Sequence, residues 1–321
     1  MYDNSSSRVI LISLFIVIGI CCIGINANVE DVEILTAKLF FNNNAELGEG
    51  SIWDCNKQLL YYLDIEGKKL YVFDPSRMIQ HSFNLPNRPG TVVPRANAKD
   101  GEVVIAIQGL GVVSFNYLTG EQTVLANPET SSTNRYNDGK VDPRGRFWVG
   151  SMSLKNGFPA EAALYCVGIN HQFSTVLSNV RISNGIVWSA DATKMYYIDT
   201  PTQGVDSFDY NVETGAVTNR KKIINIEYGS PDGMTIDNQG MLWVAHYDGG
   251  RVTRWDPNTG KLLMVIMLPV NKVTSCAFGD SDLSMLYITT ARDSAPGSGG
   301  LYRISLQSRG IRGVSAFAYK G

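Results

Sequence analysis

VDPRGRFWVGS (residues 141–151) and TIDNQGMLWVAH (residues 235–246) are two copies of one pattern: an apolar start, an Asp turn with Gly, then a short run of aromatic and β-branched residues. Further copies are IWDCNKQLLYYLD at 52–64, VWSADATKMYYID at 187–199 and AFGDSDLSMLYIT at 277–289. Aligned on Trp53, Val141, Trp188, Ile236 and Phe278, the last four lie 47, 48 and 42 residues apart. The step from Trp53 to Val141 is 88, which leaves room for one weaker copy at residues 92–104. Six copies at a period of ~40–50 residues predict an all-β fold, a six-bladed β-propeller with four short antiparallel strands per blade. A β-sandwich or two smaller β domains would not hold one period from Trp53 to Phe278.

The punctuation agrees with that reading. Asp74-Pro75, Asn116-Tyr117-Leu118-Thr119-Gly120, Asn211-Val212-Glu213-Thr214-Gly215 and Asp256-Pro257-Asn258-Thr259-Gly260 read as tight turns between outer strands, with Gly where a positive φ is needed. LLYYLDI, VVIAI and KMYYIDT have strand composition, and no long stretch has helical periodicity. The strand at residues 32–41 is expected to pair with the C-terminal blade and close the ring, which removes exposed edges.

Four residues before each aligned apolar position stand Glu49, Asn137, Asn184, Asp232 and Thr274. Four of the five are strong oxygen donors, and each of those four is closely followed by Gly. Asn-Gly and Asp-Gly are common turn dipeptides, so any one of them alone reads as an ordinary turn. In a propeller, however, equivalent positions are related by rotation about the central axis, so these four side chains gather at one end of the channel. Two gathered carboxylates are costly without a counter-charge. A central site for one divalent metal ion follows, with oxygen donors that suit Ca²⁺, Mg²⁺ or Mn²⁺ and carboxylates that also accept Zn²⁺.

Composition narrows the functions. The chain has 321 residues, 44% hydrophobic and 18% charged, with 28 Lys and Arg against 30 Asp and Glu. No basic run is present, which argues against nucleic acid or an acidic membrane surface as partner. Residues 9–25 (VILISLFIVIGICCIGI) carry no charge and follow Arg8. They read as the core of a signal peptide spanning residues 1–27, cleaved after Ala27, with residues 28–321 forming a single propeller domain that is secreted or lumenal. The alternative is an uncleaved anchor with the propeller on the lumenal or extracellular side. Beyond that segment stand Cys55, Cys166 and Cys276, far apart and without Cys-x-x-Cys spacing, so at most one disulfide is possible and no zinc cluster. There is no Gly-x-Ser-x-Gly or His-Glu-x-x-His motif; His81, His171 and His246 are scattered. Trp148, Trp188, Trp243 and Trp255 read as core.

The segments LGEGSIW, NRYNDGKVDPRGRFWVGSM, ISNGIVWSAD, YYIDT, PDGMTIDNQGMLWVA and GGRVTRWDPNTGK resemble those of regucalcin, gluconolactonases and luciferin-regenerating enzymes, in the same order from about Leu47 onward. The resemblance implies metal-dependent hydrolysis of sugar-type lactones, by a monomer acting on a small-molecule substrate. It assigns metal binding to Glu49, Asn184 and Asp232, catalysis to Asp232, and substrate contact to Arg135 and Asn137. Some relatives carry an acidic substrate contact where this chain has Ser153-Leu154-Lys155, which puts Lys155 at a position expected to face substrate. A non-enzymatic calcium-binding protein, or an enzyme acting on another small cyclic substrate, are the alternatives.

Overall fold

The computed structural model describes residues 32–321, which form one compact unit of six sheets; the apolar segment at 9–25 lies outside the described residues. Blade 1 contains Gly48–Asp54, Leu59–Asp64, Lys69–Asp74 and Ile79–Asn84, from the innermost strand outward. Blade 2 contains Pro89–Val93, Glu102–Ile107, Gly111–Asn116 and Gln122–Ala126. Blades 3, 4, 5 and 6 begin with Asn134–Val141, Ser183–Trp188, Ser230–Ile236 and Val273–Gly279. Each of these inner strands packs on the inner strands of both neighbouring blades, and blade 6 meets blade 1 to close the ring. The weak repeat at 92–104 is therefore blade 2, with Val93 opposite Val104.

Regular structure is almost entirely strand. The described helices are two 3-10 turns, Thr200–Thr202 and Gln307–Arg309, and no described helix is long and apolar enough to cross a membrane. The outer turns have one design: the amides of Gly120, Gly215 and Gly260 each donate 2.8 Å bonds to the carbonyls of Asn116, Asn211 and Asp256. Their φ values of 78°, 79° and 71° explain the Gly. The core lies in wedges between adjacent sheets. Trp148 meets Trp188 edge-on at 5.7 Å between blades 3 and 4, and Trp243 meets Phe278 at 5.5 Å between blades 5 and 6. All three described cysteines are free thiols.

The ring closes by a different route from the expected one. Only Lys38–Phe41 joins the last blade, antiparallel to Leu301–Ser305 as its outermost strand. Glu33–Thr36 instead lies parallel to Leu262–Met267, as a fifth strand on blade 5. Ala37, between the two, is buried and its amide donates to Met267 O at 3.0 Å, so the chain steps from one sheet to the next at that residue.

A second closure runs across one axial end. The C-terminal tail leaves blade 6 with Gly313 N donating to Leu283 O, and Asn238 N of blade 5 donates to Arg312 O, both at 2.8 Å. On the far side Ala96 N donates to Tyr319 O at 2.7 Å, Tyr319 N to Pro94 O at 2.9 Å, and the Tyr319 hydroxyl to Gly168 O at 2.8 Å. Between these anchors Val314, Ala316 and Phe317 cover the channel end lined by Ile52, Val141, Val187, Trp188 and Ile236, leaving a residual cavity of about 60 Å³.

Candidate functional site

At the other end of the channel the inner strands begin, and all six are irregular at the same place. The pairing register between first and second strands shifts between Glu49 and Ile52, Pro89 and Thr91, Tyr136 and Gly139, Ser183 and Ile186, Pro231 and Met234, and Val273 and Ser275. Each shift is a bulge that leaves one residue of the inner strand unpaired and re-aims a side chain. Glu49, Asn137, Asn184, Asp232 and Thr274 sit at these bulges. The Gly residues that follow the polar positions therefore belong to bulged strands rather than to turns. A Cβ on Gly185 would lie 2.5 Å from the Met234 Cβ, and one on Gly233 2.9 Å from the Ser275 Cα, so glycine lets neighbouring inner strands approach.

Five predicted site residues, Glu49, Arg135, Asn137, Asn184 and Asp232, line one cavity of about 360 Å³. Thr274 does not join them: its hydroxyl donates to Gly48 O and lies 2.9 Å from the Thr289 hydroxyl. In blade 2 the equivalent position is Pro89, which offers no side-chain donor atom. The polar cluster is thus lopsided, drawn from blades 1, 3, 4 and 5. It contains two carboxylates and amides, and no group of three or more His, Cys, Asp or Glu arranged for a metal occurs among the described residues.

Hydrogen bonds orient the amides. Arg135 Nη1 donates to Asn137 Oδ1 and to Tyr136 O (2.9 Å); the guanidinium turns to Asn137 rather than pairing with Asp138. Asn137 Nδ2 donates to Ser183 O at 2.7 Å and to Asn184 Oδ1 at 3.2 Å. Asn184 Nδ2 donates to the Thr200 hydroxyl at 2.7 Å, and that hydroxyl donates to Pro231 O at 2.8 Å. Thr200 thereby fixes which end of the Asn184 amide is oxygen. Its only sequence signal is its place in YYIDT.

The carboxylates are short of positive charge. Burial, reinforced by Asp138, pushes the Glu49 carboxyl up to about 8. Burial, then Glu49 and Asp138, raises Asp232 well above the usual carboxylate range. Asp138 is itself raised by burial; one of its oxygens accepts from Gly139 N at 2.7 Å and the other has no hydrogen-bond partner. Among the described residues none of these three acids forms an ion pair. Burial lowers Arg135 despite the opposing pull of Glu66, Glu49 and Asp232, and the Lys140 ammonium is committed to Met234 O at 2.7 Å. Buried oxygen donors whose ionised forms lack a counter-charge fit a hard divalent cation. Glu49, Asn184 and Asp232 are the residues that would hold it.

The expectation for Lys155 meets a correction. Lys155 does not face the cavity; its ammonium pairs at the surface with Glu161. His246 lies outside it too, buried within blade 5. His246 Nδ1 is 2.7 Å from Tyr228 O and Nε2 is 2.6 Å from the Thr253 hydroxyl, and burial lowers its pKa to about 4. Residues that the repeat did not mark also line the cavity, notably Met152, Phe158, Ile182, Ser230, Tyr247 and Asp248.

A six-bladed propeller with an acidic, amide-rich cavity at one mouth and a plugged opposite end is the class that fold and site define. The SMP-30/Gluconolactonase/LRE-like family matches residues 47–292, and the chain belongs to that family. It is 38% identical over 294 residues to regucalcin of Oryctolagus cuniculus, covering 87% of this chain and 96% of the relative. A solved luciferin-regenerating enzyme superposes with a TM-score of 0.82 at 30% identity, covering 89% of this chain and all of that one. A solved regucalcin from Agrobacterium tumefaciens, described as a calcium-binding protein, gives a TM-score of 0.81 at 23% identity, with 89% and 99% of the two chains covered.

Proposed function

We propose that this protein is a metal-dependent hydrolase of small lactones. The observation that carries the reading is the buried pair Glu49 and Asp232, uncompensated in charge, beside Arg135, Asn137 and Asn184 in a single cavity. Family membership supports it, because the family description includes gluconolactonases. A divalent ion (Ca²⁺, Zn²⁺, Mn²⁺ or Mg²⁺), when bound, would supply the charge that keeps both carboxylates ionised and would polarise the lactone carbonyl.

The chain's own groups account for the remaining work. Arg135, oriented through Asn137, donates to ring or hydroxyl oxygens of the substrate and holds the lactone in place. Asp232 accepts a proton from the attacking water as the water oxygen bonds to the carbonyl carbon. The ring C–O bond then breaks, the released alkoxide recovers the proton, and the product is a hydroxy acid. With residues 1–27 read as a signal peptide, the proposed compartment is the lumen or the outside of the cell; an uncleaved anchor is the alternative and leaves the propeller on the same side.

The test is turnover. Purified residues 28–321 are assayed against glucono-1,5-lactone and simpler lactones, with chelator and after return of each divalent ion. Metal-restored hydrolysis is the expected result. Absence of turnover with every ion, alongside tight Ca²⁺ binding, would sink the reading and favour a calcium-binding protein without an enzymatic role.

A further inference from the structure

The cavity is amphipathic, and its polar and apolar side chains are adjacent. Arg135 and Asn137 of blade 3 and Asn184 of blade 4 present polar atoms. Beside them the same two blades turn apolar. Met152 is the cross-strand partner of Arg135, and Met152 in turn forms a β-bridge with Ile182, two residues before Asn184. Phe158 completes this wall from the loop joining the second and third strands of blade 3.

That loop is held in place rather than left free. Arg181 Nε donates to Phe158 O and Arg181 Nη2 to Gly157 O, both at 2.8 Å. Lys155 and Glu161 pair with each other outside the cavity, so the loop brings no charge to it. Phe158 has φ 46°, a left-handed conformation that is costly for a bulky side chain, and the residue stays 41% exposed. A large exposed aromatic residue kept in a strained conformation, lining the cavity with two further apolar side chains, is poorly explained by core packing, since it is not in the core.

We infer that the substrate is a lactone whose ring carries an apolar substituent, with the ring and its polar atoms at Arg135 and Asn137 and the substituent seated on Met152, Phe158 and Ile182. The inference rests on the lactonase reading above and narrows it: a lactone bearing only hydroxyls would leave this wall facing water. Burying an alkyl chain there contributes about threefold to fourfold in kcat/KM per fully covered methylene.

The experiment compares δ-valerolactone, a δ-lactone with a five-carbon alkyl chain on the carbon next to the ring oxygen, and glucono-1,5-lactone, using residues 28–321 with the activating ion. The alkyl lactone is expected to exceed δ-valerolactone in kcat/KM by tenfold or more, mainly through KM. In Phe158→Ala that ratio should fall about tenfold, and in Phe158→Leu, which keeps an apolar side chain, most of it should return. An alkyl preference that is absent, or that survives Phe158→Ala unchanged, overturns the inference and leaves lactone hydrolysis standing. If none of the three lactones is opened, the lactonase reading fails and the inference falls with it, a different result from lost preference.

Discussion

Asp232 and Asp237 belong to the same stretch of blade 5, one at the bulged start of its inner strand and the other just past the strand's end. Asp237 accepts bonds from Gln239 N, Met241 N, Trp243 Nε1 and Arg254 Nε, all between 2.7 and 3.0 Å. Blade 3 repeats this: Asp142 accepts from Arg144 N, Arg146 N and Nε, Trp148 Nε1 and the Tyr210 hydroxyl. Both are buried acids whose charge is met mostly within their own hairpin. At the other end Glu49, Asp138 and Asp232 are also buried, and none of them forms an ion pair among the described residues. The contrast separates an aspartate that builds a blade from one kept available for a ligand.

The comparison is broken most directly by Asp232→Ala. Hydrolysis should fall by at least about a thousandfold and divalent-ion affinity should weaken, while the melting temperature of the metal-free protein holds or rises because a buried carboxyl whose ionisation is disfavoured is gone. A fully active variant that binds no metal would show that the acidic end is not where the chemistry occurs. The matching change at the other end, Asp237→Ala, strands the Arg254 guanidinium and the Trp243 indole N–H. It should cost about 3–5 kcal/mol in denaturant unfolding, with metal affinity of the folded fraction unchanged. A loss below about 1 kcal/mol would mean that the two ends do not divide as described.

His246 gives a smaller test, within blade 5. Its folded pKa of about 4 lies below the ordinary 6.5, so the unfolded chain binds the extra proton first. Stability from the neutral ring is therefore complete above pH 6.5 and is lost as pH falls from 6.5 towards 4, by roughly 3 kcal/mol. His246→Gln should flatten that slope in unfolding measured across this range; an unchanged slope would place the titration elsewhere. The smallest expected effect belongs to Asn137→Ala, which should raise KM about tenfold while metal affinity moves about twofold or less. Lost metal binding with KM intact would reassign Asn137 from substrate to ion.

What the sequence made legible is what the repeat carries. Trp53, Val141, Trp188, Ile236 and Phe278 do occupy matching places near the ends of inner strands, and stepping back four residues led to the cavity. Features that occur once were not legible. Pro89 at the sixth equivalent position breaks the polar pattern, so blade 2 read as weak. The parallel pairing of Glu33–Thr36 with a strand more than two hundred residues away leaves no local signature. Phe158 and the rest of the apolar wall come from a loop and strand ends, where periodicity says nothing about which way a side chain points. The bulges were visible only as glycines, and glycine has too many uses for its spacing alone to distinguish a bulge from a turn.

The tail that ends in Tyr319 has a consequence for traffic. With Val314, Ala316 and Phe317 stoppering the axial passage, the cavity at the opposite mouth is a cul-de-sac. On the proposed lactonase reading, the hydroxy-acid product would leave by the same mouth through which the next lactone enters, so departure and arrival would share one opening.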